Sequence, residues 1–387
     1  MTPAPPSAVR QAAGAIVFGS VLLVIAAVGG GWLALGRVDP LFVVPGAGWA
    51  AVAGALACVG RPSARLSGGI SLAVVVILAL VQWAAAGWVD WLPTFVAGLV
   101  SAILLMAAWA VALFARSRSP WGRVVIFVML AACAWGWQLA ATSMVARAYT
   151  PVFGVKPARV AVVTSLPLFA PSRGDLAAIL GGTVNDAPAI TALQRYFDLV
   201  AMADVDAMAL EQGDALLLAH PAALPPETLV AIDAYVRGGG QAVVLADALL
   251  DAELPYPLGD PRNPPVSTML DPLLSHWGLA IAPARADVRL GSDGRHRLMM
   301  SSAGEVAIRS AQCRSAADGL VARCRIGRGQ AVIVGDADLL DPSLWRSPAG
   351  ATGPAGWRSA NIGWLADQLQ PCRAIQCTGF AQPVWMR

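Results

Sequence analysis

Four polar side chains stand where short apolar blocks of the sequence end. His220 follows the block 214–219, Asp247 follows 241–246, and Asp336 with Asp338 follows 330–334. An imidazole and several carboxylates gathered in one crevice could serve as acid and base groups or hold a ligand. Ligands of open α/β sheets bind beyond the carboxyl ends of the strands, which is where these residues would fall. The same side chains could instead cap the turns that follow, because aspartate readily accepts from nearby backbone N–H groups. A nucleophile is missing beside them: no Gly-x-Ser-x-Gly elbow follows a strand-like block, and no cysteine stands at these block ends. His276 and His296 are isolated and read as structural or solvated residues.

Six cysteines carry the other candidate chemistry. Cys58 and Cys133 lie in long apolar runs. Cys313 with Cys324 and Cys372 with Cys377 form two close pairs, separated by gaps of ten and four residues rather than the two or so typical of zinc ligands. Two disulfides are expected, which places this part of the chain in an oxidising compartment. No metal-ligand set is singled out, and nothing calls for a cofactor. A phosphate-cradling loop needs glycines followed by lysine and then serine or threonine. The chain's one lysine sits in Phe153-Gly154-Val155-Lys156-Pro157, which is not that pattern. Gly238-Gly239-Gly240 ends a helix-like stretch and precedes a strand, so it reads as a helix stop rather than a dinucleotide loop.

The elements that must position these residues fall into two regions. With 57% hydrophobic and 13% charged residues the chain is too apolar for an ordinary soluble protein. The excess is concentrated in 12–36, 66–89, 91–115 and 124–146, which carry no charge, and in the shorter 41–60, broken by Pro45 and several glycines. Five spans are expected within a transmembrane domain covering 1–147. Arg10, Arg61, Arg65, Arg116, Arg118 and Arg123 would then lie on one side of the bilayer and Arg37 on the other. The positive-inside rule puts the first group in the cytoplasm and the rest of the chain outside. A linker, 148–158, carries Pro151 and Pro157.

From 159 onward the pattern changes to short valine- and leucine-rich blocks alternating with helix-like stretches. Blocks 159–165, 197–202, 214–219, 241–246 and 330–334 read as strands buried on both faces, with helices over 187–196 and 225–237. The expected fold is thus a helical multi-span membrane domain followed by an α/β domain, 159–387, with a mainly parallel, doubly wound sheet. Segments 305–312 and 320–326 read as a hairpin that would bring Cys313 and Cys324 within bridging distance. The membrane part has eight basic residues against two acidic ones and the remainder 19 against 22, net −3, which argues against nucleic-acid binding. Nine arginines against four acids in 285–328 read as a solvated hairpin face or a contact for lipid headgroups or an acidic partner.

The stretch from Asp214 through His220-Pro221, the helix from Leu224-Pro225-Pro226-Glu227 to Gly238-Gly239-Gly240, and the strand ending in Asp247 resemble the auxiliary domain of ABC-type transport systems typified by gliding-motility proteins. Leu270 to Gly278, ending in Trp277-Gly278, and Gly329 to Asp336 are also similar to that family. The resemblance covers about 158–345. It implies a non-catalytic, exported scaffolding or sensing domain with an amidotransferase-like fold, partnered by separate ABC permease and ATPase subunits at a bacterial inner membrane. Relatives of this kind carry few spans before the domain and another after it, a pattern this sequence does not follow. Two other roles remain open from the residues: a membrane-tethered envelope hydrolase or amidotransferase-like enzyme using His220 and the strand-end aspartates, and an extracytoplasmic ligand-binding module.

Overall fold

The computed structural model describes residues 31, 33–58, 64–150, 158–170, 185–202, 215–251, 256–257, 259–284, 287–347, 353–369 and 380–386. The chain divides into two compact units, one formed by Met1–Thr150 with Gly353–Gly356 and Thr378–Arg387, the other by Pro151–Thr352 with Trp357–Cys377.

The first unit is helical. Its helices are α1 (Val43–Cys58), α2 (Ala64–Ala86), α3 (Trp91–Arg116) and α4 (Pro120–Ala148). Ser119 caps α4 by accepting from the Gly122 N–H at 3.2 Å, and Pro120 occupies the first helical turn, where its missing N–H costs nothing. Arg37 is buried with Asp39, 2.5 Å away, and its guanidinium lies 5.0 to 5.4 Å from the rings of Phe42, Tyr149 and Trp385. It also donates to the carbonyl oxygens of Pro354 and Ala355. Asp39 in turn accepts from the Val384 N–H at 2.7 Å, so the described end of the chain is stitched onto the helical unit.

The expected five-span block is corrected here. Two helices among the described residues, Trp91–Ala115 and Pro120–Ala148, are long and apolar enough to cross a membrane. At 1.5 Å per residue α1 reaches only ~24 Å, short of a ~30 Å hydrocarbon core, so freedom from charge over 41–60 marks a short apolar helix. Of α2, the part counted as an apolar helix among the described residues is Leu72–Ala86. The expected span 12–36 lies outside the described residues apart from 31 and 33–36.

The second unit is built on a seven-stranded sheet. Its strands are β1 (Ala158–Thr164), β2 (Phe197–Ala201), β3 (Ala215–Ala219), β4 (Gln241–Leu245), β9 (Cys313–Ala316), β10 (Val321–Ile326) and β11 (Gly329–Val334), in the order β2-β1-β3-β4-β11-β10-β9. The first five run parallel, whereas β10 and β9 are antiparallel to their neighbours. The sheet is therefore mixed, and the expectation of a mainly parallel, doubly wound sheet is corrected. A two-residue turn after β11's partner β10 reverses the chain, and reversal by a hairpin forces antiparallel pairing where a helical crossover would not.

Helices α5 (Pro188–Leu193), α6 (Pro226–Arg237), α7 (Asp271–His276), α8 (Pro342–Trp345) and α9 (Asn361–Leu369) complete the unit. Ile232 and Val236 of α6, with Leu273, Leu274 and Trp277, pack on the sheet face carrying Ala161, Val163, Leu216, Leu218, Val244 and Ile333. Two small antiparallel pairs lie outside the main sheet: β5 (Leu279–Ile281) with β8 (Val306–Ile308), and β6 (Val288–Asp293) with β7 (His296–Ser301). The hairpin expected between 305–312 and 320–326 is redistributed. Its first half splits, β8 joining β5, while Cys313 itself pairs directly with Cys324 across β9 and β10.

Candidate functional site

Strands β1, β3, β4 and β11 are parallel, so their carboxyl ends share one edge of the sheet. His220 follows β3 with φ at 47°, a left-handed conformation that non-glycine residues seldom adopt outside constrained sites. Neighbouring strand ends hold it there: its N–H donates to the Leu245 carbonyl at 3.1 Å, and its carbonyl accepts from the Ser165 N–H and hydroxyl. The imidazole is fully buried. Its Nε2 lies 2.7 Å from the Pro265 carbonyl oxygen, which can only accept, so Nε2 carries the proton. Nδ1 has no hydrogen-bond partner.

The three aspartates converge. Ligating oxygens of Asp247, Asp336 and Asp338 all lie within 4.8 Å of one another, and all three residues are buried. Asp247 accepts from the Leu249 N–H at 2.9 Å and from the Ala337 N–H at 3.0 Å, so one oxygen caps its own turn while the other ties β4's end to β11's. Asp338 accepts from the Asp251 N–H at 2.8 Å. Asp336 accepts from the Ser301 N–H at 3.1 Å through Oδ2, and its Oδ1 has no donor. Burial pushes the Asp336 carboxyl well above the usual carboxylate range, and the neighbouring Asp247 and Asp338 add to the rise. Asp338 is pushed up to about 7, first by burial and then by Asp247. Burial also raises Asp247, against the N–H groups of Ala337 and Leu249 and the proximity of His220.

Two residues that the sequence reading passed over help to build the cluster. Ser301 supplies the N–H to Asp336 and donates its hydroxyl to Asp251 at 2.9 Å. Gly335 lets the 301–304 segment approach, since a Cβ there would stand 1.9 Å from the Gly304 carbonyl oxygen. A glycine directly before Asp336 was the available signal. Chemically the arrangement can hold protons or a cation. The Ser165 hydroxyl nearby is committed to the His220 carbonyl.

The remaining sequence candidates fall elsewhere. Cys313 and Cys324 form a disulfide across β9 and β10. Cys372 and Cys377 lie outside the described residues. His276 stands 3.5 Å from Asp233 and His296 3.3 Å from Asp367, both in surface pairs. The arginine-rich region contributes Arg314, Arg323 and Arg325 to a groove of about 750 Å³ that also touches Gln241 and Gln330. Those two glutamines are at the amino ends of β4 and β11, so this groove is at the opposite edge from the aspartates.

The matching family is described as an ABC-type uncharacterized transport system, and the match spans β1 to the start of β6. Residues 158–290 match the model of the ABC-type transport-system auxiliary family, which supports the resemblance read from the sequence. That auxiliary segment is about a third of the chain and contains His220 and Asp247, while Asp336 and Asp338 come from sequence beyond it. No curated protein matches the chain.

Among solved structures, an exo-β-1,4-mannosidase of Opitutaceae bacterium strain TAV5 is 14% identical with a TM-score of 0.32, over 61% of this chain and 39% of its own. A cold-adapted β-galactosidase of Rahnella sp. R3 is 16% identical with a TM-score of 0.30, over 57% and 33%. A cytoplasmic protein of Salmonella typhimurium is 11% identical with a TM-score of 0.29, over 47% and 84%. The chain thus spans only about a third to two fifths of the two glycosidases. Likeness at this level assigns the auxiliary segment no activity.

Proposed function

We propose that this chain is a non-enzymatic accessory subunit of an ABC-type transport system. Its helical unit is held at a membrane, its α/β unit lies in an oxidising compartment outside the cytoplasm, and separate permease and ATPase subunits supply passage and energy. The observation that carries the reading is the auxiliary-family match over 158–290, which takes in β1 to β4, four of the five parallel strands. Membrane association is supported by α3 and α4, which leave Phe95, Leu99, Ile103, Val125, Met129 and Leu139 more than half exposed, as lipid-facing helices do. The Cys313–Cys324 disulfide favours the non-cytoplasmic side.

Dependence on a partner ATPase follows from the chain's single lysine, which stands in no phosphate-binding loop. Purified alone in detergent, the protein is expected to hydrolyse no ATP, whereas membranes enriched in its complex do so. Hydrolysis of an envelope substrate by the isolated chain, lost in a folded His220→Ala variant, would replace this reading with an enzymatic one.

A further inference from the structure

We infer that Asp247, Asp336 and Asp338 form a binding site for a hard divalent cation, of the kind that takes oxygen ligands. The site lies where two paired parallel strands end, with Leu245 of β4 opposite Val334 of β11, so three carboxylates from two strand ends are delivered to one point. An ion with metal–oxygen distances of ~2.4 Å can touch oxygens up to ~4.8 Å apart, and one oxygen from each of these three side chains lies within 4.8 Å of the other two.

Charge makes the same case. Asp247 and Asp336 are fully buried and Asp338 is 6% exposed. The ion pairs formed among the described residues engage Asp39, Asp233, Asp260, Asp293, Glu305 and Asp367, and none reaches this trio. Removing three carboxylates from water without a compensating cation is expensive, and the nearby Asp251 adds negative charge rather than relieving it.

A second observation points to the ligand itself. The backbone satisfies most of the trio: both Asp247 oxygens, Oδ2 of Asp338 and Oδ2 of Asp336 each accept an N–H. Oδ1 of Asp336 is completely buried and no donor reaches it. A buried carboxylate oxygen without a donor, among two other carboxylates, is an acceptor that a cation satisfies and that burial otherwise penalises. In the same row of strand ends His220 keeps Nδ1 as a second buried lone pair without a donor, its proton being held on Nε2 by Pro265. The donor set is all oxygen and contains no thiolate, which selects magnesium, calcium or manganese over zinc.

The inference does not depend on the transport role, and it is tested on the full chain in detergent. Protein stripped with a chelator and dialysed is titrated separately with CaCl₂, MgCl₂ and MnCl₂, following heat of binding and the unfolding temperature. Wild type is expected to bind at least one of these ions saturably at about one per chain, with a rise in unfolding temperature. Asp336→Asn keeps the size of the side chain and the acceptor for Ser301. It should fold with an unchanged circular dichroism spectrum and bind more than ~10-fold more weakly, since affinity at such sites follows the number of charged ligands. Asp338→Asn, at the more accessible edge, gives the same reading should Asp336→Asn fail to fold. Asp260→Asn, a surface acid paired with Arg262, should bind as wild type does. Absence of saturable binding by wild type for all three ions, or undiminished binding by both asparagine variants, overturns the proposal and leaves the cluster holding protons alone.

Discussion

Gly335 and Gly304 pass so closely that the ideal Cβ of an alanine at 335 would overlap the facing carbonyl oxygen, and the backbone would have to yield. Gly335→Ala is therefore expected to destabilise the α/β unit by about 3 kcal/mol and to displace Asp336 from Ser301, as read by the midpoint of denaturant unfolding. Asn361 holds the other side of this corner. It is fully buried, accepts from the Met299 N–H at 2.9 Å, and donates to the carbonyls of Met299 and Leu339 at 2.7 and 2.9 Å. Asn361→Ala leaves those groups without partners at a cost of about 3 kcal/mol, whereas a surface change such as Asp260→Asn should leave the unfolding midpoint near that of wild type.

Asp293 predicts the acid response. Burial works against its charge, yet hydrogen bonds from the Arg323 guanidinium and the Trp364 indole, with Arg323's charge, outweigh that and hold its carboxyl below the ordinary range. A carboxyl with a depressed folded value stabilises the protein above its unfolded value and loses that contribution as pH falls through the folded value. Stability should accordingly fall with acidification below about pH 4, and Asp293→Asn should flatten that slope while unfolding more easily at neutral pH. The four strand-end candidates could be named from the ends of apolar blocks. The convergence of the three aspartates could not, because it depends on which strands are neighbours and on Ser301, a residue 35 positions before the Asp336 it contacts.

At the level of elements, strands were legible where both faces are buried. Leu216, Leu217 and Leu218 show no exposure, and such runs of valine and leucine announce themselves. Strand β6 alternates with exposed positions and its pairing with β7 went unread, although Gly294-Arg295, with Gly294 at φ 61°, forms the two-residue turn between them. Antiparallel β9 and β10 carry the disulfide, which closes a sequence separation of 11 residues. Replacing both Cys313 and Cys324 with alanine should cost about 2 to 3 kcal/mol by freeing that loop in the unfolded chain, measurable as a lower unfolding midpoint. In the helical unit, Arg37→Ala would strand buried Asp39 without its cation. A loss of about 3 to 5 kcal/mol is expected there, seen as early melting of helical signal in detergent.

For the whole molecule, the lack of charge that suggested five spans is shared by short apolar helices. Among the described residues, two helices are long and apolar enough to cross a membrane. The division into a helical and an α/β unit also assigns Thr378–Arg387 to the helical one, through Asp39–Val384 and Val38–Val384 hydrogen bonds that no local pattern announces. On the function proposed above, this chain serves a transport complex without doing chemistry of its own. The most direct measurement is purification of the tagged full chain from its native membranes in mild detergent, with identification of the proteins bound in stoichiometric amounts. An ABC-type ATPase subunit and its permease are expected, and retained when His220 is replaced by alanine in a variant that still folds. Recovery of the chain free of both, from membranes that contain them, would contradict it.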